Sequence, residues 1–145
     1  MTDYNSRQGY PIGLVRRWLL VFWSIFLIAG FSLAISLEPA ARGYGTHQRL
    51  GLPPCSFYVF FDIPCPSCGM TTSFSNFVRG RFIAAARANI AGLLLAVFCL
   101  VQIPWCWVSV YRKRLWMVDH PDTTLMWFLI VLAGICLLQW LVRIL

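Results

Sequence analysis

Polar and apolar positions along this 145-residue chain separate into blocks instead of alternating. Residues 18–37 (WLLVFWSIFLIAGFSLAISL) run for 20 positions without a charge, long enough to cross about 30 Å of hydrocarbon as a helix. Residues 88–110 repeat the pattern over 23 positions, and residues 125–142 do so a third time. Arg16 and Arg17 stand directly before the first run, and Arg112, Lys113 and Arg114 follow the second. The fold class this predicts is an all-α integral membrane protein with about three transmembrane helices. Ala34 and Ser36 offer the small-x-small pattern of a cleaved secretory signal. The apolar run is longer than the roughly 7–15 residues of such signals, so a retained span is expected.

Between the first two spans lies a loop covering residues 38–87. Pro39, Gly43, Gly45, Gly51, Pro53, Pro54, Pro64 and Pro66 break regular structure in its first part. Residues 57–61 (FYVFF) suit a short strand or an apolar segment at the headgroup level, and their aromatic weight favours the membrane interface. From Met70 onward Phe74, Phe77, Val78, Phe82 and Ala85 recur at helical spacing, with Ser75, Asn76, Arg79 and Arg87 on the other face. This predicts one interfacial amphipathic helix after the loop. The whole, residues 1–145, is expected to be a single membrane domain.

Smaller features fit this frame. Pro104 is expected to kink the second span, and Asp122, Thr123 or Thr124 to cap the third. Trp18, Trp107, Trp116 and Trp127 are expected near one interface and Trp140 near the other. Gln102 and Gln139 suit interhelical hydrogen bonds, while Cys99, Cys106 and Cys136 read as packing residues. No acidic residue lies inside a span, which argues against a proton-coupled transporter.

Composition agrees: 59% of residues are hydrophobic and 12% charged, against roughly one quarter charged in soluble domains. The net charge of +7 comes from basic residues beside the spans, where they orient helices and meet anionic lipid headgroups; no nucleic-acid module is present. The lipid bilayer is the expected partner, together with another membrane protein or a second copy of the chain. The short basic flanks Arg16–Arg17 and Arg112–Arg114 predict a cytoplasmic N-terminus and an extracytoplasmic cysteine loop. No signature of hydrolysis, phosphoryl transfer or hydride transfer occurs, so a non-enzymatic role is favoured.

Chemically capable side chains converge in one stretch, Cys65-Pro66-Ser67-Cys68-Gly69, with Cys55 ten residues upstream of Cys65. Two cysteines separated by two residues can grip a metal ion, and a following glycine permits the tight turn that aims N–H groups at sulfur. Cys55 supplies a third thiolate and His47 a fourth ligand, a set that suits zinc. The same pair opening a helix suits thiol redox chemistry, Cys65 attacking and Cys68 resolving. A stapling disulfide from Cys55 to Cys65 or Cys68 is the structural alternative. Thr71 and Thr72 follow the glycine, positioned to cap the helix or bond a sulfur.

The run GLPPC…CPSCGMTTSF…RGRF…AARANIAG resembles a family of small bacterial membrane proteins known as domain of unknown function 2752. Cys55, Cys65, Pro66, Cys68, Gly69, Met70, Thr71, Gly80, Ala85 and Asn89 stand at the matching places, over roughly residues 47–100. Many members carry Arg at Thr72 and Pro at Ile90. The resemblance implies a bacterial inner-membrane protein with retained spans and brings no established activity. Two functions are therefore expected to compete. One is a non-enzymatic membrane component whose loop is ordered by a metal or a disulfide. The other is a membrane-anchored thiol–disulfide exchange protein.

Overall fold

The computed structural model describes residues 10–145. Three helices are long and apolar enough to cross a membrane: α1 (Leu14–Ser36), α5 (Ile90–Arg112) and α6 (Pro121–Ile144). Between α1 and α5 lie a 3₁₀ turn (Thr46–Leu50) and three short helices, α2 (Ser56–Phe61), α3 (Met70–Phe77) and α4 (Phe82–Ala88). The all-α class and the three candidate spans hold.

The ends differ from the sequence expectation for local reasons. α5 begins at Ile90 because Asn89 caps it, its side-chain oxygen accepting the Gly92 N–H at 2.9 Å. α6 starts at Pro121, which sits at the first helical position where its missing N–H costs nothing. Asp122, Thr123 and Thr124 therefore lie inside the first turn and do not cap it; the Thr124 hydroxyl donates back to the His120 carbonyl. α5 runs on through Pro104. Residues 57–61 form the helix α2, ended by Asp62 in the left-handed conformation, and not a strand.

The amphipathic stretch is two helices. Gly80, at a φ of 71°, turns the chain between them, and the N–H groups of both Arg79 and Arg81 bond the Asn76 carbonyl. More telling is which face points inward. Thr72, Ser73, Ser75 and Asn76 of α3 are buried, while Phe74 and Phe77 lean on Phe31 of α1 with centroids 6.0 and 6.3 Å away. Ser75 and Asn76 of the polar face are packed on protein, whereas Arg87 stays exposed.

That inward face does work at the end of α1. The last carbonyls of a helix lack internal partners. Here the Arg79 guanidinium donates to Ala34 and Ile35 at 3.3 and 2.8 Å, and the Ser75 hydroxyl to Leu37. Small residues let α4 and α3 approach α5: Ala85, Ala88, Ala91 and Ala96 are buried, and a Cβ on Gly92 would sit 3.0 Å from the Ser73 Cβ. The two glutamines behave as expected: Gln102 accepts from Trp23 of α1 at 3.1 Å, and Gln139 of α6 accepts the Ile90 N–H at 2.7 Å.

At one end of the molecule Tyr10 and Ile12 pair with the backbone of residues 113–118. At the other end lie the cysteine loop and the last turns of α6. Gly69 fixes that second end: its φ is 90°, and a Cβ there would collide with the carbonyls of Ala88 and Gly43. Gly69→Ala is expected to cost about 3 kcal/mol or more. Gly134→Ala, with open space around it, should be neutral. Thermal unfolding of both variants in detergent checks this, and equal melting points would contradict it.

Candidate functional site

The turn Cys65–Cys68 closes with a Cys68 N–H to Cys65 carbonyl bond of 2.9 Å, and Gly69 then swings the chain into α3. Cys55 arrives separately, as the residue preceding α2. The fold brings the three sulfurs within 4.8 Å of one another, with Cys65 and Cys68 Sγ 3.2 Å apart. His47, on the 3₁₀ turn, lies outside that mutually close set. It does line the same cavity of about 180 Å³ as Cys55 and Cys68, with Arg42 and Tyr58.

Four side chains hold this turn by its carbonyls and leave the Cys65 and Cys68 sulfurs to each other. Asn89 Nδ2 donates to Pro66 and Cys68 at 3.3 and 3.2 Å. From α6, Cys136 donates to the Pro66 carbonyl at 3.0 Å, Trp140 to Pro64 at 2.7 Å and Arg143 to Cys68 at 3.3 Å. Arg143 also donates to the carbonyls of Arg87 and Ala88 that end α4. Positions 136, 140 and 143 share one helix face by their spacing of four and three. Thr72, expected to cap α3 or bond a sulfur, is instead buried against Thr46, oxygen to oxygen at 2.7 Å. Thr46 in turn takes the Ala40 N–H, so this pair ties the start of the loop to α3.

Sequence reasoning missed this clamp. Cys136 read as a packing residue and Trp140 as an interface residue, and Arg143 was not singled out. The available signal was the 136/140/143 spacing of donors at the end of an otherwise apolar helix.

The thiols differ in acidity. The backbone N–H of Tyr58, at the start of α2, draws the Cys55 thiol below its ordinary value, with help from the neighbouring Cys65 and Cys68. Burial pushes the Cys68 thiol up to about 12, reinforced by Cys65. Cys55 thus ionises more readily than Cys68, which stays protonated at neutral pH unless a cation displaces its proton.

A family model described as "Protein of unknown function (DUF2752)" matches residues 55–103, about a third of the chain. This is the family the motif resembles. The match runs from Cys55 through the thiol turn, α3 and α4 into the middle of α5, so it covers the three sulfurs, Gly69 and Asn89 together. The α6 clamp lies outside it. No curated protein and no solved structure matches the chain.

Two outcomes follow from this geometry. Asn89→Ala removes the α5 cap and two carbonyl donors and is expected to destabilise by about 3 kcal/mol. Asn89→Ser, which can still cap, should recover about 1 kcal/mol, read from denaturation midpoints. Alkylation followed by peptide mass spectrometry should label Cys55 at lower pH than Cys68, because each thiolate appears only as pH rises through its own pKa. Labelling of Cys68 first would contradict the assigned environments.

Proposed function

We propose that this multi-pass membrane protein is a non-enzymatic component whose loop holds one zinc ion through Cys55, Cys65 and Cys68, with His47 as fourth ligand. The observation that carries the reading is the approach of three sulfurs to within 4.8 Å from two separate chain segments. Around zinc with Zn–S bonds near 2.3 Å, tetrahedral sulfurs sit roughly 3.8 Å apart, so modest adjustment closes the site. A disulfide would engage two of the three. Arg42 beside the cavity offsets the negative charge that three thiolates bring. Zinc also resolves the awkward Cys68, since a bound cation favours its thiolate.

The site is proposed to face away from the cytoplasm of a bacterial inner membrane, with the N-terminus inside and residues 1–145 acting as one membrane domain. Charge supports this orientation. On the cysteine side Arg79 and Arg143 are engaged by helix-end carbonyls and Arg49 pairs with Glu38 at 3.1 Å. Arg16, Arg17, Arg112, Lys113 and Arg114 cluster at the opposite end next to the spans, as the positive-inside rule expects. The span of α6, which has no buried residue, is the face assigned to a neighbouring membrane protein or second copy.

The second reading is thiol–disulfide exchange. Its support is the 3.2 Å approach of Cys65 and Cys68: Cys65 thiolate would attack an external disulfide, releasing one partner thiolate. Cys68 would then displace the other and leave a Cys65–Cys68 disulfide. A resolving thiol raised to about 12 disfavours that second step.

Elemental analysis decides between them. One zinc per chain is expected from protein purified without chelator, with Cys55→Ser, Cys65→Ser and Cys68→Ser each losing it and His47→Ala binding roughly tenfold more weakly or worse. Because binding displaces thiol protons, affinity should rise steeply with pH and fall away in acid. A metal content near zero, with fast Cys65 alkylation at neutral pH, would replace the metal reading with exchange.

A further inference from the structure

α1 and α6 both pack on α5, yet no Cα of one comes within 8 Å of a Cα of the other. The gap between them is a cleft at the end of the molecule opposite the thiols. Its mouth is a cavity of about 620 Å³ bordered by Arg16 on α1 and by Asp119, His120 and Asp122 at the start of α6. A second cavity of about 410 Å³ continues inward, lined by Phe31, Phe98, Gln102, Phe128 and Leu129. Trp23 borders both, and its indole N–H is already taken by Gln102. The inner wall therefore offers almost no unsatisfied polar atom. From Arg16 to Phe31 the cleft follows α1 for roughly 22 Å, beyond the ~15 Å depth of one hydrocarbon leaflet.

The mouth carries unpaired charge of both signs. Among the described residues the ion pair is Arg49 with Glu38; Arg16 borders the same cavity as Asp119 and Asp122 without closing on either. The Arg16 guanidinium instead stands 5.0 Å above the Tyr10 ring. Opposite charges held apart across an opening complement a ligand that is itself a dipole. A purely anionic headgroup would satisfy Arg16 and meet two carboxylates, and a purely cationic one would do the reverse. A primary ammonium donates hydrogen bonds to carboxylates, which a trimethylated one cannot.

We propose that the α1–α6 cleft binds a zwitterionic, amine-bearing phospholipid. Its phosphate lies at Arg16, its ammonium at Asp119 and Asp122, and one acyl chain along Trp23, Phe98 and Phe128. The site is independent of the chemistry assigned to the thiols.

Native mass spectrometry of the full chain in detergent tests this with an equimolar mixture of phosphatidylethanolamine, phosphatidylcholine and phosphatidylglycerol. Retention of phosphatidylethanolamine at least fivefold over each of the others is expected. Arg16→Ala and Asp122→Asn, checked for unchanged melting, should each reduce it about fivefold. A phosphatidylethanolamine carrying a mid-chain diazirine should label peptides containing Phe98 or Phe128. Equal retention of the three lipids, preference for phosphatidylglycerol, or labelling spread over the outer faces would overturn the proposal. So would an efficient Trp23→Cys disulfide between two chains, which would place a second copy in the cleft.

Discussion

The carbonyl of Cys68 is the point on which the thiol end of the fold depends. It receives Asn89 from the start of α5 and Arg143 from the end of α6, so one oxygen ties two spans to the turn that carries the sulfurs. Gly69 follows directly and lies against the Ala88 carbonyl, which Arg143 also reaches. Helix ends and tight turns expose carbonyls, and leaving one buried without a donor costs about 1–3 kcal/mol. Next to lipid, water cannot be relied on to repair the loss. The same solution appears at the end of α1, where Arg79 and Ser75 supply the donors. Both arginines act as helix-end donors, and their charge also suits the negative end of a helix dipole.

This constraint turns the molecule inside out relative to a soluble domain. The fully buried side chains are led by Asn89, Thr46, Thr72, Cys106 and several serines, while Phe22, Ile25, Leu129 and Leu138 are exposed. Lipid satisfies large apolar side chains as well as a protein core would, so burial is reserved for residues that are small or need a partner. Ser73 illustrates both at once: it fits against Gly92 and donates to the Asn89 carbonyl at 3.0 Å.

That inversion explains what the sequence could and could not reveal. Charge-free runs such as residues 18–37 have few alternatives to spanning, so the three long helices were legible. Their ends were not, because Asn89 and Pro121 act through single-residue backbone chemistry. The periodicity of residues 70–85 located the two faces of α3 but carried no information on which medium each would meet. Ser75 and Asn76 of the polar face meet protein, and Arg87 of the same face is exposed. Among the candidate site residues, the CPSCG spacing singled out Cys65 and Cys68 and drew in Cys55 upstream, and these three sulfurs lie together; His47, named with them, lies outside that set. Cys136, Trp140 and Arg143 act across more than 65 residues of sequence, so their spacing marks a row of donors on α6 without naming the carbonyls they reach.

The clamp also divides labour within the site. It fixes the backbone of residues 64–68 through carbonyls, without engaging the sulfurs of Cys65 and Cys68. The Cys55 arm is held differently: α2 has no buried residue, and its contacts outward are ring to ring, Tyr58 with Tyr44 and Phe57 with Trp140. On the proposed zinc reading, the ion would meet two ligands already in place and would draw a third from a loosely packed helix. Much of its binding energy would then go into fixing α2, not into folding the turn. A zinc finger differs in that the whole domain waits for the metal. The thiol pair sits on a turn that the helices have already set, and the cysteine that arrives from outside it ionises more readily than Cys68.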